Sequence, residues 1–333
     1  MRQLDTTVLL PPVISVVVPT SNRADDLHRA LMSLTQQITD GRFDYEIVVV
    51  DKASTDNTKD VIARFLRISP VPVRSVPYMP CDNAPIHFTG LCESVGDWLA
   101  FFDEEEFADP HWLQNLLKVA LENNALVVVG AVHLDLDESV VQELSPACRN
   151  VLRESRPYAG VQPYGPRVTP NADNLLVSRQ VLDVVSDSAK DRSNGYSNGT
   201  LVEDARAAGI VPWHAPDAIV RHRVSTDRLQ PKSFHHEAQD AGGAQADADF
   251  RDFGTAFVVC RCVARLVQAT LYLPARVRAA WCPPGYGSAQ SSMIWWRTEG
   301  YVRRTLSVLA PTLFPQKRFH DRADCRAGRT VGA

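Results

Sequence analysis

With 333 residues and 45% hydrophobic content the chain can bury a large core, in one large domain or two small ones, and its 22% charged content is that of an ordinary globular protein. A formal net charge of −4 gives no overall attraction for nucleic acid, so no nucleic-acid partner is expected. The seven cysteines match no zinc or redox spacing; Cys260 and Cys262, one residue apart in an apolar stretch, read as buried reduced thiols.

Residues 1–12 form a leader without the basic start, apolar stretch and cleavage site of a signal peptide. No run of about 18 uncharged apolar residues occurs, so the expectation is a cytoplasmic protein with no spanning helix. The β-branched run Val13–Val18 ends at Pro19 and predicts a strand buried on both faces. Asp25–Gln37 then carries Leu27, Ala30, Leu31 and Leu34 at helical spacing. A second buried strand, Tyr45–Val50, leads to Asp51 and a turn in which Thr55 or Asp56 can cap a helix over Thr58–Leu66. Val71–Val76 predicts a third strand, Thr89–Val95 a short helix, and Asp97–Phe102 a fourth strand running into Asp103.

This alternation predicts a doubly wound sheet, with ligands beyond the carboxyl ends of the strands, where Asp51 and Asp103 fall. A helix over His111–Asn123 and a strand over Ala125–His133 follow, while 137–170 reads as irregular. Asn174–Ser178 and Gln180–Val185 predict a strand and a short helix; Gly199–Ala208 predicts a helix stopped by Gly209; Ile210–Trp213 and Ala218–Val224 predict two short strands. The expected division is a sheet domain over 13–230, a helical, basic amphipathic extension over 231–315 and a polar tail over 316–333.

The acidic run Asp103-Glu104-Glu105-Glu106 stands at the end of a buried strand, where mutual repulsion is costly unless something cationic sits among the carboxylates. A divalent cation would suit them, because it can span the oxygens of a departing diphosphate. Asp51 can cap its turn, or accept hydrogen bonds from the base or ribose of a nucleotide. No glycine-rich loop follows the first strand, which argues against a dinucleotide dehydrogenase, a P-loop enzyme and a sugar nucleotidyltransferase.

The blocks Ile14–Arg23, Glu46–Asp56 and Gly96–Leu113, in this order and at these separations, resemble family 2 glycosyltransferases. The resemblance covers about residues 13–228 and is nearest in pattern to bacterial exopolysaccharide enzymes of the succinoglycan type. It implies a GT-A fold with a Rossmann-like mixed sheet, a nucleotide-sugar donor (a UDP-sugar first), Mg²⁺ or Mn²⁺, and inversion at the anomeric carbon by direct displacement. By position, Pro19, Thr20 and Asn22 line the nucleotide pocket, and Asp51 contacts the uracil or ribose. Asp103 and Glu105 take the places of the metal motif's acids, Asp103 also touching the donor, and His222 matches a histidine that completes the metal site. Asn171 to Asn174 resembles the segment that places the acceptor sugar.

Lys52, His87-Phe88 and Glu105 depart from the family's residues at those places. The family's base is an Asp just before a helix that ends in Ala-Gly. Aligning on Ala208-Gly209 puts Asn198 at that station, and an amide cannot accept the proton; a second register uses Asp204 and shortens the helix by about a turn. The alternative reading is therefore a catalytically impaired relative that keeps the fold and binds nucleotide or partners without turnover.

Residues 250–309 alternate apolar residues with Arg261, Arg265, Arg276, Arg278, Arg297, Arg303 and Arg304. One reading packs two helices with their arginines facing water. The other lays this stretch in the headgroup region of an anionic membrane, with Trp281, Trp295 and Trp296 at the interface, where a lipid-linked acceptor is reached.

Overall fold

The computed structural model describes residues 11–78, 86–166, 168, 170, 173–189, 198–271, 289–311 and 313. The chain divides into a sheet unit, 1–136 with 153–224, and a helical unit, 137–152 with 225–333. The segment 137–152, read from sequence as irregular, forms two short helices that cluster with the C-terminal ones.

In the sheet unit the elements run β1 (Val13–Thr20), α1 (Ala24–Leu34), β2 (Asp44–Asp51), α2 (Thr58–Ile68), β3 (Val73–Pro77), α3 (Ile86–Glu93) and β4 (Trp98–Phe101). Then come β5 (Glu106–Ala108), α4 (Trp112–Glu122) and β6 (Val127–Asp135), and, after α5 and α6 of the helical unit, β7 (Gln162–Pro163), β8 (Leu175–Ser178), α7 (Arg179–Ala189), α8 (Asn198–Ala207) and β9 (Trp213–Arg223). The sheet order is β3-β2-β1-β4-β8-β6-β9-β5, with β7 paired to β9. The first four strands are parallel, as the alternation predicts; β8 runs antiparallel to both β4 and β6. The sheet is thus mixed. The two strands expected over 210–224 are one strand, whose register against β6 shifts at Gly130/Ala131.

Successive residues of a strand face opposite ways, and both faces of this sheet are covered. Ile14, Val16 and Val18 of β1, with Ala100 of β4, pack on Leu27, Leu31 and Leu34 of α1 and Trp112 and Leu116 of α4. Leu99 and Phe101 of β4, with Val127 and Val129 of β6, pack on Val181 of α7 and Leu201 and Ala205 of α8. Each such fully buried aliphatic side chain contributes about 1.5–3 kcal/mol. This two-sided core holds the carboxyl ends of β1, β2 and β4 side by side.

The helical unit contains α5 (Glu138–Glu143), α6 (Pro146–Val151), a 3₁₀ turn (Thr226–Leu229), α9 (Pro231–Leu271) and α10 (Ala289–Leu309). Ser145 caps α6 through the Cys148 N–H, and Pro146 stands at the first helical position. Gly254, at φ 76°, kinks α9; this left-handed backbone excludes most other residues. Before the kink α9 lies backbone to backbone on α10. A Cβ on Gly242 would come within 2.1 Å of the Arg297 carbonyl oxygen, and one on Gly300 within 2.0 Å of the Gln239 carbonyl oxygen.

Between these helices lies a polar interior. Asp249, 2% exposed, accepts hydrogen bonds from Tyr301 Oη (2.7 Å), Arg261 Nη1 (2.9 Å) and Gln245 Nε2 (3.1 Å). The Arg265 guanidinium lies 4.6 Å from the Tyr301 ring centroid. The expectation that these arginines face water fails at Arg261 and Arg265, because a buried carboxylate and an aromatic ring draw them inward. Trp295 and Trp296 are half-buried, Trp296 against the His235 ring at 5.1 Å, and Trp281, Arg276 and Arg278 lie outside the described residues. Phe253–Leu271 is, by length and composition, a helix able to cross a membrane, despite the two arginines that interrupt its apolar run.

Candidate active site

The register of β1 sets Thr20 opposite Asp51 and Val17 opposite Phe101, so the tips of β2, β1 and β4 are neighbours in that order. At ordinary strand spacing the tips of β2 and β4 stand about 10 Å apart. Asp51 and the segment that opens at Asp103 therefore border one edge of the sheet.

The loop after β2 is tied to the loop after β1. Asp51 Oδ1 accepts from both the backbone N–H (3.1 Å) and the hydroxyl of Ser54, a fully buried residue. Ser54 Oγ in turn accepts from the Asn22 N–H at 2.9 Å, and Asn22 Oδ1 accepts from the Thr55 N–H at 2.8 Å. Asn22 and Ala53 take positive φ, 53° and 52°, which this network imposes. With Oδ1 committed to the loop, Oδ2 is the Asp51 oxygen able to accept from a ligand. Pro19 is buried, and Thr20, 2% exposed, has no hydrogen-bond partner for its hydroxyl among the described residues. Lys52 is exposed, its N–H bonded to the Thr20 carbonyl at 2.9 Å.

The acidic run does not behave as four equivalent ligands. Glu106 opens β5, pairs with His222 of β9 and is 2% exposed; burial, then the Asp103 charge, pushes its carboxyl well above the ordinary range. Its Oε2 accepts the Asp103 N–H at 3.3 Å. Burial raises Glu104 and the adjacent Asp103 adds to the effect, pushing its carboxyl up to about 9. Burial alone would raise Asp103 too, but the hydrogen bond from Glu104 and the Arg153, His222 and His87 charges hold it below the usual carboxylate range. Glu104 is the protonated member of that pair at neutral pH.

Two arginines supply the cationic charge. Arg23, at the N-cap of α1, bonds Glu105 Oε1 and lies 3.5 Å from Glu104 Oε1. Arg153, with φ 74°, lies 3.4 Å from Asp103 Oδ2 and 3.7 Å from Asp173 Oδ2. His222 is fully buried, with Nε2 3.9 Å from Glu105 Oε2. Burial lowers the His87 imidazole, against the pull of Asp103 and Asp173. Asp103, Glu105 and His222 form a hard oxygen and imidazole set of the right chemistry for Mg²⁺ or Mn²⁺. As arranged they do not fit an ion: guanidinium groups hold both carboxylates, and no three His, Cys, Asp or Glu side chains among the described residues gather to ligate one.

Other expected residues stand elsewhere. Asn174 is fully buried: its Nδ2 donates to the carbonyls of Ala131 (2.9 Å) and Ala218 (2.8 Å), and its Oδ1 accepts from Trp112 Nε1 (2.8 Å). That amide joins β6, β9 and α4, and both of its hydrogens are committed to the core rather than available to an acceptor sugar. Asn171 lies outside the described residues. Asn198 is the first residue of α8, whereas Asp204 stands mid-helix, 6% exposed, with Leu201, Val202 and Ala205 buried around it. Arg23, Arg153 and Asp173 received no role from the sequence reading. Arg23 alone carried a signal, as the cation that closes the first motif block.

Residues 15–77 match the model of Glycosyl transferase family 2. An uncharacterized glycosyltransferase of a Nostoc species is 29% identical over 175 residues, 52% of this chain and 52% of that protein. The validoxylamine A glucosyltransferase of Streptomyces hygroscopicus subsp. jinggangensis is 38% identical over 37% of this chain and 29% of that protein. The chain thus spans about half or less of the length of these relatives. The mannosyltransferase PcManGT of Pyrobaculum calidifontis, solved with GDP-Man and Mn²⁺, superposes with a TM-score of 0.57 over 88% of this chain and 87% of that one, at 17% identity. That likeness establishes the GT-A fold.

Proposed function

We propose that this chain, whose residues 15–77 match the model of Glycosyl transferase family 2, moves a sugar from a nucleotide-sugar donor to a glycan or lipid-linked acceptor, with inversion at the anomeric carbon. The observation that carries this reading is the shared edge of β2, β1 and β4, with the Asp51–Ser54–Asn22 network on one side and Asp103 on the other. Asp51 Oδ2 accepts from the base or ribose, and the loop at Pro19, Thr20 and Asn22 fixes the nucleotide's orientation. Asp103, kept ionised, holds the donor end nearest the reacting carbon. The acceptor oxygen bonds to the anomeric carbon as the diphosphate leaves, and its proton passes to a base. Lys52, exposed at the tip of β2, is placed to meet phosphate charge.

Even with Glu104 protonated, Asp103, Asp173 and Glu105 outnumber Arg23 and Arg153, which supports a divalent cation arriving with the donor. Glu105 and Asp103 would hold such an ion only once released from Arg23 and Arg153, and the ion would supply charge compensation for the leaving diphosphate. A second reading, nucleotide binding without turnover, is favoured by Asn198 at the start of α8, because its amide cannot serve as the base; the other register gives that role to Asp204, mid-helix. The protein is proposed to act in the cytoplasm, at the inner face of a membrane.

A thermal-shift panel of UDP-, GDP- and dTDP-sugars, with and without Mn²⁺, tests both readings. One donor class should stabilise the chain, by about 2.7 kcal/mol at a hundredfold excess over Kd. Stabilisation without donor turnover would select the second reading. No stabilisation by any nucleotide sugar would sink both.

A further inference from the structure

We propose that the helical unit seats in the surface of a phospholipid bilayer through the outward face of α9 beyond its kink. This inference stands on that unit alone and does not depend on the donor chemistry.

Between Phe253 and Leu271 the helix is built inside out. Its inward stripe is Val258, Arg261, Cys262, Arg265 and Ala269; Arg265 turns to Tyr301, and Arg261 bonds Asp249 while its guanidinium, 37% of the side chain exposed, lies 5.7 Å from the Phe257 ring centroid at the edge of the outward face. Beyond Arg261, its exposed residues carry no charge. Phe253, Phe257, Val263, Leu266, Val267 and Leu271 are 60%, 40%, 58%, 46%, 55% and 75% exposed, and the Phe253 and Phe257 rings lie 4.5 Å apart. Together these side chains expose several hundred Å² of apolar surface, at or above the largest patch an ordinary monomer leaves in water. Placing ion pairs inside and hydrocarbon outside is the arrangement that lipid favours and water does not.

The other helix of the pair fixes the mode of contact. The exposed residues of α10 include Arg297, Glu299 and Arg303, and Tyr301 of α10 packs on Arg265. A crossing orientation would carry those charges into the hydrocarbon at a cost of several kcal/mol each. An in-plane orientation wets them and buries only the α9 face. Exposed Arg251 stands just before that face, and the sequence directly after it adds Arg276 and Arg278, a basic flank suited to anionic headgroups.

The test is flotation of the full chain with vesicles of phosphatidylcholine containing one quarter phosphatidylglycerol. The chain should float with the vesicles. Val263→Asp combined with Val267→Asp should cut the bound fraction at least about tenfold, because both side chains stand on the immersed face. Since both are more than half exposed, the helical content and melting of that variant should match the parent. A Phe257→Trp chain adds a second readout: its emission should shift to the blue and be quenched by brominated phosphatidylcholine. A parent that stays in the dense fraction, a double variant that floats undiminished, or an unquenched Trp each overturns the proposal. So does a parent that dimerises through this face in solution and ignores vesicles, because the occupant is then a second copy of the chain.

Discussion

At the tips of the sheet, Asp103, Asp173, Glu104 and Glu105 share the guanidinium groups of Arg23 and Arg153, whereas between α9 and α10 the buried carboxylate Asp249 has Arg261, Tyr301 and Gln245 as its donors. The first group is short of positive charge and answers by protonation, with Glu104 pushed up to about 9. The second has its buried carboxylate supplied with three donors, Asp249 being 2% exposed. A surplus of one sign beside a core is tolerated where a ligand will bring the opposite sign; a buried carboxylate with its donors in place holds a scaffold together. On the proposed function, the same chemical groups serve binding in one unit and architecture in the other.

Breaking the first group should have the largest effect on function and little on stability. Asp103→Ala should lower donor turnover by about 10²–10³-fold, the scale on which a single positioned electrostatic group acts. It should also abolish the nucleotide-sugar thermal shift. Retained turnover or an unchanged shift would take Asp103 out of the site. Breaking the second group should do the reverse. Asp249→Ala leaves Arg261 and the Tyr301 hydroxyl facing an apolar gap and should cost about 2–3 kcal/mol in chemical denaturation. Donor binding by the sheet unit should survive it. Loss of donor binding in step with stability would mean that the two networks are not separable.

What the sequence disclosed follows the range of the interactions. The strands β1 and β2 were legible because burial on both faces leaves a continuous β-branched run, and Asp51 and Asp103 were legible because they end such runs. The division of labour within the acidic run was hidden. It depends on β5 pairing with β9, which sets Glu106 beside His222, and no local pattern announces a contact across more than a hundred residues. Arg153 was hidden for the same reason, fifty residues from Asp103. The helix at 146–151 carried a readable Ser145-Pro146 start that was passed over amid irregular sequence. In α9 the period was legible but the hand was not. An arginine stripe normally faces water, and only Asp249 and Tyr301, brought together in space, reverse it.

The smallest effect belongs to the core beneath the site, and it separates scaffold from binding by pH. His214 is fully buried, with Nδ1 3.2 Å from the Val129 carbonyl oxygen and 3.4 Å from Tyr164 Oη, and its ring meets Tyr158 and Tyr164 edge-on. Burial lowers its imidazole below the ordinary value of 6.5, outweighing the backbone hydrogen bonds that favour the charged form. The unfolded chain therefore takes up the proton first. Stability from the neutral ring is complete above pH 6.5 and is lost as pH falls below 6.5 toward the folded value. The carboxylates that gain from ionisation, such as Glu46 beside Arg74, begin to act only below their ordinary value of 4.5, so the two windows do not coincide. His87 contributes with the same sign from the site itself, and Glu104 and Glu106, whose carboxyls burial raises, contribute with the opposite sign over the same range, so a substitution is needed to isolate His214. The urea midpoint of His214→Gln, relative to that of the parent, should rise as pH falls from 6.5 to 4.5; a difference that stays constant with pH would mean that His214 keeps the same proton affinity folded and unfolded.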